Sequence, residues 1–453
     1  MIDKPRRAAL ELLRAVREDD AYANLELPRI LSSEGLSGRD AGFATELAYG
    51  TLRMRGWYDA ILACCVDRPL EKVEPVMLDI LRLGAHQLLS MRVPDHAAVD
   101  SSCVLAREQG AKPGAAARAG FVNAVLRKVA AQDEAAWEQV LRSDRADGDV
   151  EWLATRWSHP VWIVRALRAA LGERGDELAA LLRADDTPAR PSLVARPGRM
   201  DVAELLSLPE VSAARWSPLG GTLSEGAPES LSCVRDARAG VQDEGSQLVA
   251  LALARAEVVD DSGRWLDMCA GPGGKAALLA GLAAEAGGRL IAVEQHPHRA
   301  VLVESSLGTD PGAVVITGDA RHAPWGEQVF DRVLVDAPCT GLGALRRRPE
   351  SRWRRTPADL AALGGLQRDL LRAALAAVRP GGVVAYVTCS PHLGETEFVV
   401  ADVLRGRDDV VLEDARDLLP EVDDLGPGPT VQLWPHRHGT DGMFLALLRR
   451  LPR

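Results

Sequence analysis

The stretch "RWLDMCAGPGGKAALLAGLAAE", Arg264 to Glu285, changes its periodicity in the middle. "RWLDMCA" is a short apolar run of strand type, the glycines that follow break it, and "GKAALLAGLAAE" carries apolar residues at helical spacing. A strand that passes through glycines straight into a helix is the opening unit of an α/β sheet. Strands at "RLIAVEQ", "AVVITGD", "DRVLVDAP" and "GVVAYVTC" follow, interleaved with helices at "HRAVLVESSL", from about Pro357 to Val378, and from Glu395. Near-continuous apolar strands between helices predict a parallel sheet covered on both faces, a doubly wound Rossmann-like domain over residues 241–453.

Ligands of such sheets bind outside the carboxyl ends of the strands. Gly271, Gly273 and Gly274 let backbone approach a ligand there, and the next helix begins with free N–H groups. The spacing fits neither G-x-G-x-x-G nor G-x-x-x-x-G-K-[ST], which points to a nucleoside without dinucleotide or triphosphate geometry. Lys275 is the only lysine after Lys128 in a chain that otherwise uses arginine, so a compact ammonium is wanted at that position. Glu294 ends the second strand, where a carboxylate accepts hydrogen bonds from a ribose diol. Asp319 ends the third, placed to meet an adenine amino group, and Asp336 ends the fourth. One carboxylate in one such loop is often a helix cap; three at successive strand ends beside a glycine loop are a site.

The seven cysteines include no C-x-x-C pair and no cluster of zinc spacing, so neither disulfides nor a metal is expected. Cys64, Cys65 and Cys103 lie on helical patterns, where a cysteine is a small hydrophobe. Cys269 sits in the glycine loop and offers its backbone. Cys339 in "DAPCTG" and Cys389 in "VTCSP" differ, because each lies just past its strand on the ligand edge. Two thiols and a carboxylate beside a nucleoside suit methylation of cytosine carbon 5. Thiolate addition at carbon 6 makes the ring enamine-like, and Asp336 would hold the ring nitrogen and amino group. Pattern alone does not say which thiol attacks.

Residues 1–135 read as an all-α domain. Ala9, Leu12, Leu13 and Val16, and again Val122, Val125, Leu126 and Val129, recur at the spacing of one buried stripe. Residues 136–240 begin helical and become punctuated by Pro, Gly and Ser, as a linker or a small α+β module does, and are expected to form an RNA-binding subdomain. No segment approaches ~18 uninterrupted apolar residues and no signal core opens the chain, so no membrane partner and a cytoplasmic location are expected. A net charge of −10 excludes coating of nucleic acid by bulk electrostatics. RNA binding then needs a local patch, and "RRRPESRWRR" offers six arginines around Trp353, led by Arg346, Arg347 and Arg348.

Together "VQDEGSQ", "DMCAGPGGK", "DAPCTGLGALRRRPE", "VTCS" followed by "GETE", and "LWPHRHGTDGMF" resemble the RNA cytosine-5 methyltransferases. "FATELAYGTLR", "DILRLGAHQLL" and "FVNAVLRKV" look like the RNA-binding NusB fold, a fusion similar to the Sun/RsmB group. The resemblance spans nearly the whole chain. It implies S-adenosylmethionine as methyl donor, held by Cys269, Ala270, Gly271, Pro272, Gly273, Gly274, Lys275, Glu294, Asp319 and Asp336. It implies Cys389 as nucleophile, Cys339 in product release and Asp336 also at the target base, with 16S ribosomal RNA or an assembling small subunit as partner of a monomer. Departures are "VQDEGSQ" where alanines are usual, "GETE" for an Asn-Glu pair, Glu350 for aspartate and "DGMF" for "DGFF"; none removes a catalytic group. Three other readings are a transfer RNA target, a non-catalytic NusB-like antitermination factor, and a thiol hydrolase pairing Cys389 with His392.

Overall fold

A computed structural model describes residues 3–110, 113–308, 312–322 and 324–452. The chain divides into two compact units, one of residues 1–188 with 345–355, the other of 189–344 with 356–453. These divisions differ from the boundaries at 135 and 240 that patterning suggests. The reason is local: Trp137 and Trp152 enter the same core as Leu12, Ile61, Ile80 and Leu126, so residues 136–188 continue the helical unit.

Helices open the first unit, from Lys4–Glu18 to Ala115–Ala130. Asp3 caps the first by accepting the Arg6 N–H at 2.9 Å, and Asp149 caps Val150–Arg156 through the Trp152 N–H at 2.7 Å. The segment 345–355 packs in this unit too. The Arg352 side chain has no exposed surface, donates to Asp186 at 2.7 Å, and also donates to the carbonyls of Ser158 and Arg53 at 3.1 and 3.3 Å. Arg354 donates to the Ala21 carbonyl, and the Glu350 carboxyl accepts the Ala23 N–H at 3.2 Å. Arg352 and Arg354 of the arginine run are therefore structural side chains rather than part of an open basic patch.

In the second unit, β1 (Ser192–Ala195), β2 (Val211–Ala213), β3 (Gly220–Leu223) and β4 (Ala239–Val241) form an antiparallel sheet in the order β2-β3-β1-β4. Residues 189–240 are thus a small sheet module rather than a linker. The large sheet runs β10 (Val410–Glu413), β12 (Phe444–Arg450), β9 (Val378–Thr388), β8 (Phe330–Asp336), β5 (Arg264–Asp267), β6 (Arg289–Glu294), β7 (Ala313–Thr317), with β11 (Val431–Gln432) beside β12. β5 to β9 pair in parallel, whereas β12 runs antiparallel to β9, so the sheet is mixed where patterning predicts a parallel one.

Alternation divides its side chains between two cores. Trp265, Leu334, Ala385 and Val387 face the helices Glu244–Arg255 and Gly274–Glu285; Leu266, Val335, Val384 and Tyr386 face Pro357–Ala377. With both faces buried, chemistry is left to the strand ends, and the candidate residues stand at the carboxyl ends of the parallel strands. Among the described residues no helix is long and apolar enough to cross a membrane.

Candidate active site

The glycine loop follows β5 directly. The Asp267 carboxyl accepts the Cys269 N–H at 3.1 Å, the Ala270 N–H donates to the Val293 carbonyl at 2.8 Å, and the Gly273 N–H donates to the Ala270 carbonyl at 2.7 Å. Gly273 has φ +115°, where a side chain is strained. The Gly271 carbonyl accepts Arg299 at 2.8 Å, and the Pro272 carbonyl accepts the Ser306 hydroxyl at 3.3 Å. A Cβ on Gly271 would lie 2.0 Å from Glu294 Oε2, so the loop lies directly against that carboxylate and a side chain there would displace it. Glu294 is buried at the end of β6 and accepts the His296 N–H at 2.9 Å.

Lys275, one residue into the helix after Gly274, donates to Asp336 Oδ2 at 2.8 Å. Burial opposes its charge, but Asp336 and then Cys389 outweigh that and raise the ammonium above its ordinary value. Cys339 and Cys389, from the loops after β8 and β9, bring their sulfurs to 3.4 Å. The Cys339 thiol is pushed well up, first by its hydrogen bond to Cys389, then by burial, the charge on Cys389 and Glu395. Burial likewise raises the Cys269 thiol, so that cysteine stays neutral and contributes backbone. The Gly343 N–H donates to the Cys389 carbonyl at 2.9 Å and Gly442 donates to the Gly343 carbonyl at 2.7 Å, which joins "GLGALRRRPE" to "TCS" and "TDGMF".

Of the residues predicted from sequence, the structure brings together Lys275 with Asp336, Cys339 with Cys389, and the glycine loop with Glu294. Asp319 follows Gly318, whose N–H donates to the Glu294 carbonyl at 3.0 Å, and its carboxyl is paired with Arg321 of its own turn, which holds it down at about 2. Arg346, Arg347 and Arg348 belong to the other compact unit. Sequence reading missed Gln242, a buried amide beside Gly274 whose oxygen and nitrogen both lack a partner among the described residues. It missed Asp267, whose carboxyl is pushed up to about 7 by burial and by Asp336. It also missed Thr340, Gln367 and Glu395, which meet behind the two cysteines. "VQDEGSQ" was the available signal for Gln242.

Residues 253–449 match the model of the 16S rRNA methyltransferase RsmB/F family, and residues 3–131 that of the NusB family. The ribosomal RNA small subunit methyltransferase B of Pseudomonas syringae pv. tomato is 33% identical over 411 residues, covering 87% of this chain and 85% of its own. The chain belongs to the RsmB/F family. It is an S-adenosylmethionine-dependent RNA methyltransferase with an N-terminal NusB domain. A Mycobacterium tuberculosis protein, named provisionally as a methyltransferase, is 53% identical over 451 residues, 99% of this chain and 97% of that one. The crystal structure of PH0851 shares the fold with a TM-score of 0.81 at 23% identity over 99% of each chain. NSun6 from Pyrococcus horikoshii, solved with SFG, shares it over 65% of this chain and 99% of its own, with a TM-score of 0.56 at 19% identity.

The edge fits the methyl donor of RsmB/F enzymes. Gly271 packs directly against the buried Glu294 carboxylate, and the Gln242 amide faces Gly274 with its polar atoms unused by the described residues.

Proposed function

We propose that this RsmB/F enzyme methylates carbon 5 of a cytosine in 16S ribosomal RNA through a covalent adduct to Cys389. The single observation that carries the reading is the pair of sulfurs 3.4 Å apart beside the Lys275–Asp336 ion pair. When bound, S-adenosylmethionine supplies an electrophilic methyl group; Cys269 to Lys275, Glu294, Asp319 and Asp336 would hold it.

Every other step belongs to this chain and the base. The coupling that raises the Lys275 ammonium acts in both directions, so it favours negative charge on the Cys389 sulfur. Cys339, kept a thiol, is a hydrogen-bond donor to that sulfur. Cys389 adds to carbon 6 and loads electron density onto carbon 5, while the Asp336 carboxylate, paired with Lys275, accepts an N–H of the exocyclic amino group. After methylation, carbon 5 loses its proton to solvent water, the electrons of that bond close the carbon 5–carbon 6 double bond, the carbon 6–sulfur bond breaks, and its electrons return to Cys389. The Cys339 S–H stabilises the departing thiolate, which is how a second cysteine assists release.

The hydrolase reading finds less support. His392 Nδ1 accepts the Gly394 N–H at 3.0 Å, which turns the ring onto its own loop. The test is a pair of variants incubated with 16S ribosomal RNA and the methyl donor, then run on a denaturing gel. Cys389→Ala is expected to abolish methylation with no adduct, and Cys339→Ala to accumulate adduct. The reverse pattern would overturn the assignment of roles, and methylation of a transfer RNA instead would overturn the substrate.

A further inference from the structure

Glu395 is a fully buried acid that no step of the proposed reaction uses. It ends the turn Leu393–Glu395 after the Cys389 loop, and its carboxyl group faces donors from two other segments. Oε1 accepts the Thr340 N–H at 2.8 Å and the Gln367 amide at 3.2 Å. Oε2 accepts the Ser390 hydroxyl at 2.7 Å and the Thr340 hydroxyl. Thr340 follows Cys339 and Ser390 follows Cys389, so one carboxyl group grips the residue next to each sulfur. The frame around it is closed on both sides. Gln367 also donates to the Pro338 carbonyl at 2.9 Å, and the Tyr386 hydroxyl donates to the Glu395 carbonyl at 2.7 Å.

Four donors converging on one acceptor group in a dry site make an expensive network to loosen, because each lost acceptor strands a buried N–H or hydroxyl. Among the described residues no disulfide joins Cys339 to Cys389 across the two loops. The Gly343 N–H donated to the Cys389 carbonyl bridges them, and the Thr340 and Ser390 hydroxyls meet at 3.2 Å, but both hydroxyls are held in that place by the same Glu395 oxygen. We infer that Glu395 is a positioning residue of the methyl transfer: its carboxyl group fixes the spacing of the Cys339 and Cys389 sulfurs and so controls release of the RNA adduct. This rests on the two-cysteine reading of the reaction. Glu395 touches neither RNA nor methyl donor; it acts through Thr340 and Ser390.

The consequence separates release from addition. Cys389 is also held by its own strand, β9, whereas Cys339 follows "DAP" in a loop. Without Glu395 the thiol donor drifts from the departing sulfur while the nucleophile stays close to its place. A misplacement of about 1 Å in such a pair costs on the order of 100-fold in turnover.

The experiment uses the full chain with unmodified 16S ribosomal RNA made by transcription. For Glu395→Ala, kcat is expected to fall about 100-fold and adduct to accumulate on the denaturing gel, with the S-adenosylmethionine Kd unchanged within about twofold and the KM for RNA falling with kcat, because the slowed step follows adduct formation. Glu395→Gln keeps the shape and one acceptor oxygen, and the Thr340 and Ser390 hydroxyls can rotate to accept its amide. It is expected to recover activity to within about tenfold of wild type with little adduct. A merely structural role would lower donor binding, RNA binding and thermal stability together, and that result would overturn the inference. Wild-type kcat in Glu395→Ala would overturn it as well. If Glu395→Ala does not fold, Ser390→Ala decides the matter: a severalfold lower kcat with raised adduct supports the tie, and unchanged values for both overturn it. Cys339→Ala run in parallel separates the two levels, since absence of adduct there sinks the covalent reading itself, whatever the Glu395 variants do.

Discussion

Replacing Arg352 by methionine tests whether the arginine run is a buried strut. The side chain is fully enclosed, and its guanidinium donates to Asp186, itself 6% exposed, and to carbonyls of Arg53, Trp157, Ser158 and Asp185. Methionine fills the volume but removes the cation and every one of those donors. Breaking a buried ion pair from one side costs about 3–5 kcal/mol, because the other charge is left without compensation. The loss depends on pH in a direction the structure dictates. Burial pushes the Asp186 carboxyl up to about 6 while Arg352 holds it down; without Arg352 it titrates higher still when folded, but near 3.8 when unfolded. The folded state then binds more protons between those two values, so stability falls as pH rises through that window. We expect Arg352→Met to lose about 4 kcal/mol at pH 8 and roughly half as much at pH 5, where Asp186 can be neutral. Arg352→Met with Asp186→Leu should recover most of the loss at pH 8, since removing both partners of a buried pair is nearly neutral. Urea denaturation of the full chain, followed by tryptophan fluorescence at the two pH values, measures all of this. Equal losses at both pH values, or less than about 1 kcal/mol at pH 8, would refute the reasoning.

Two further predictions concern the sites themselves. Asp267 is buried with its carboxyl pushed up to about 7, so the folded protein holds a proton there that the unfolded chain releases near 3.8, and stability must fall as pH rises across that interval. Asp267→Asn is expected to remove this slope, worth about 4 kcal/mol between full protonation and full ionisation, and parallel stability–pH curves for the two proteins would contradict it. Changing Arg346, Arg347 and Arg348 to alanine should weaken RNA binding and flatten its salt dependence by about 0.7–0.9 per arginine that meets a phosphate. An unchanged slope in filter binding across salt concentrations would show that these side chains do not touch RNA.

What could be read in advance was whatever repeats along the chain or sits at a strand end. β5 to β9 announced themselves as short apolar runs, and the glycine loop as a break between periods. The direction of β12 was not legible, because an antiparallel strand buried on both faces has the same apolar pattern as a parallel one. Nor was the fate of Arg352, whose partner Asp186 lies 166 residues earlier; a charge run looks solvated until a buried carboxylate is found opposite it. Glu395 was hidden for the same reason, since its donors at Thr340 and Gln367 come from other segments.

The assignment of the two cysteines is the instructive case. Both end a strand, both lie on the ligand edge, and composition treats them alike. The Cys339 thiol is disfavoured from ionising by Cys389, by burial and by Glu395, and the Lys275 ammonium couples favourably to Cys389. Two thiols at 3.4 Å cannot both ionise cheaply, so whichever neighbour carries the cation decides which one does. These couplings accord with the proposed roles, Cys389 as nucleophile and Cys339 as proton donor. Lys275→Met is the direct probe of this reasoning. It leaves both thiols in place but removes the ammonium that couples to Cys389, and the rate of adduct formation at pH 7 should fall about tenfold and recover as pH is raised toward the unassisted thiol range. A rate deficit that stays constant with pH would mean that Lys275 does not set the charge on Cys389.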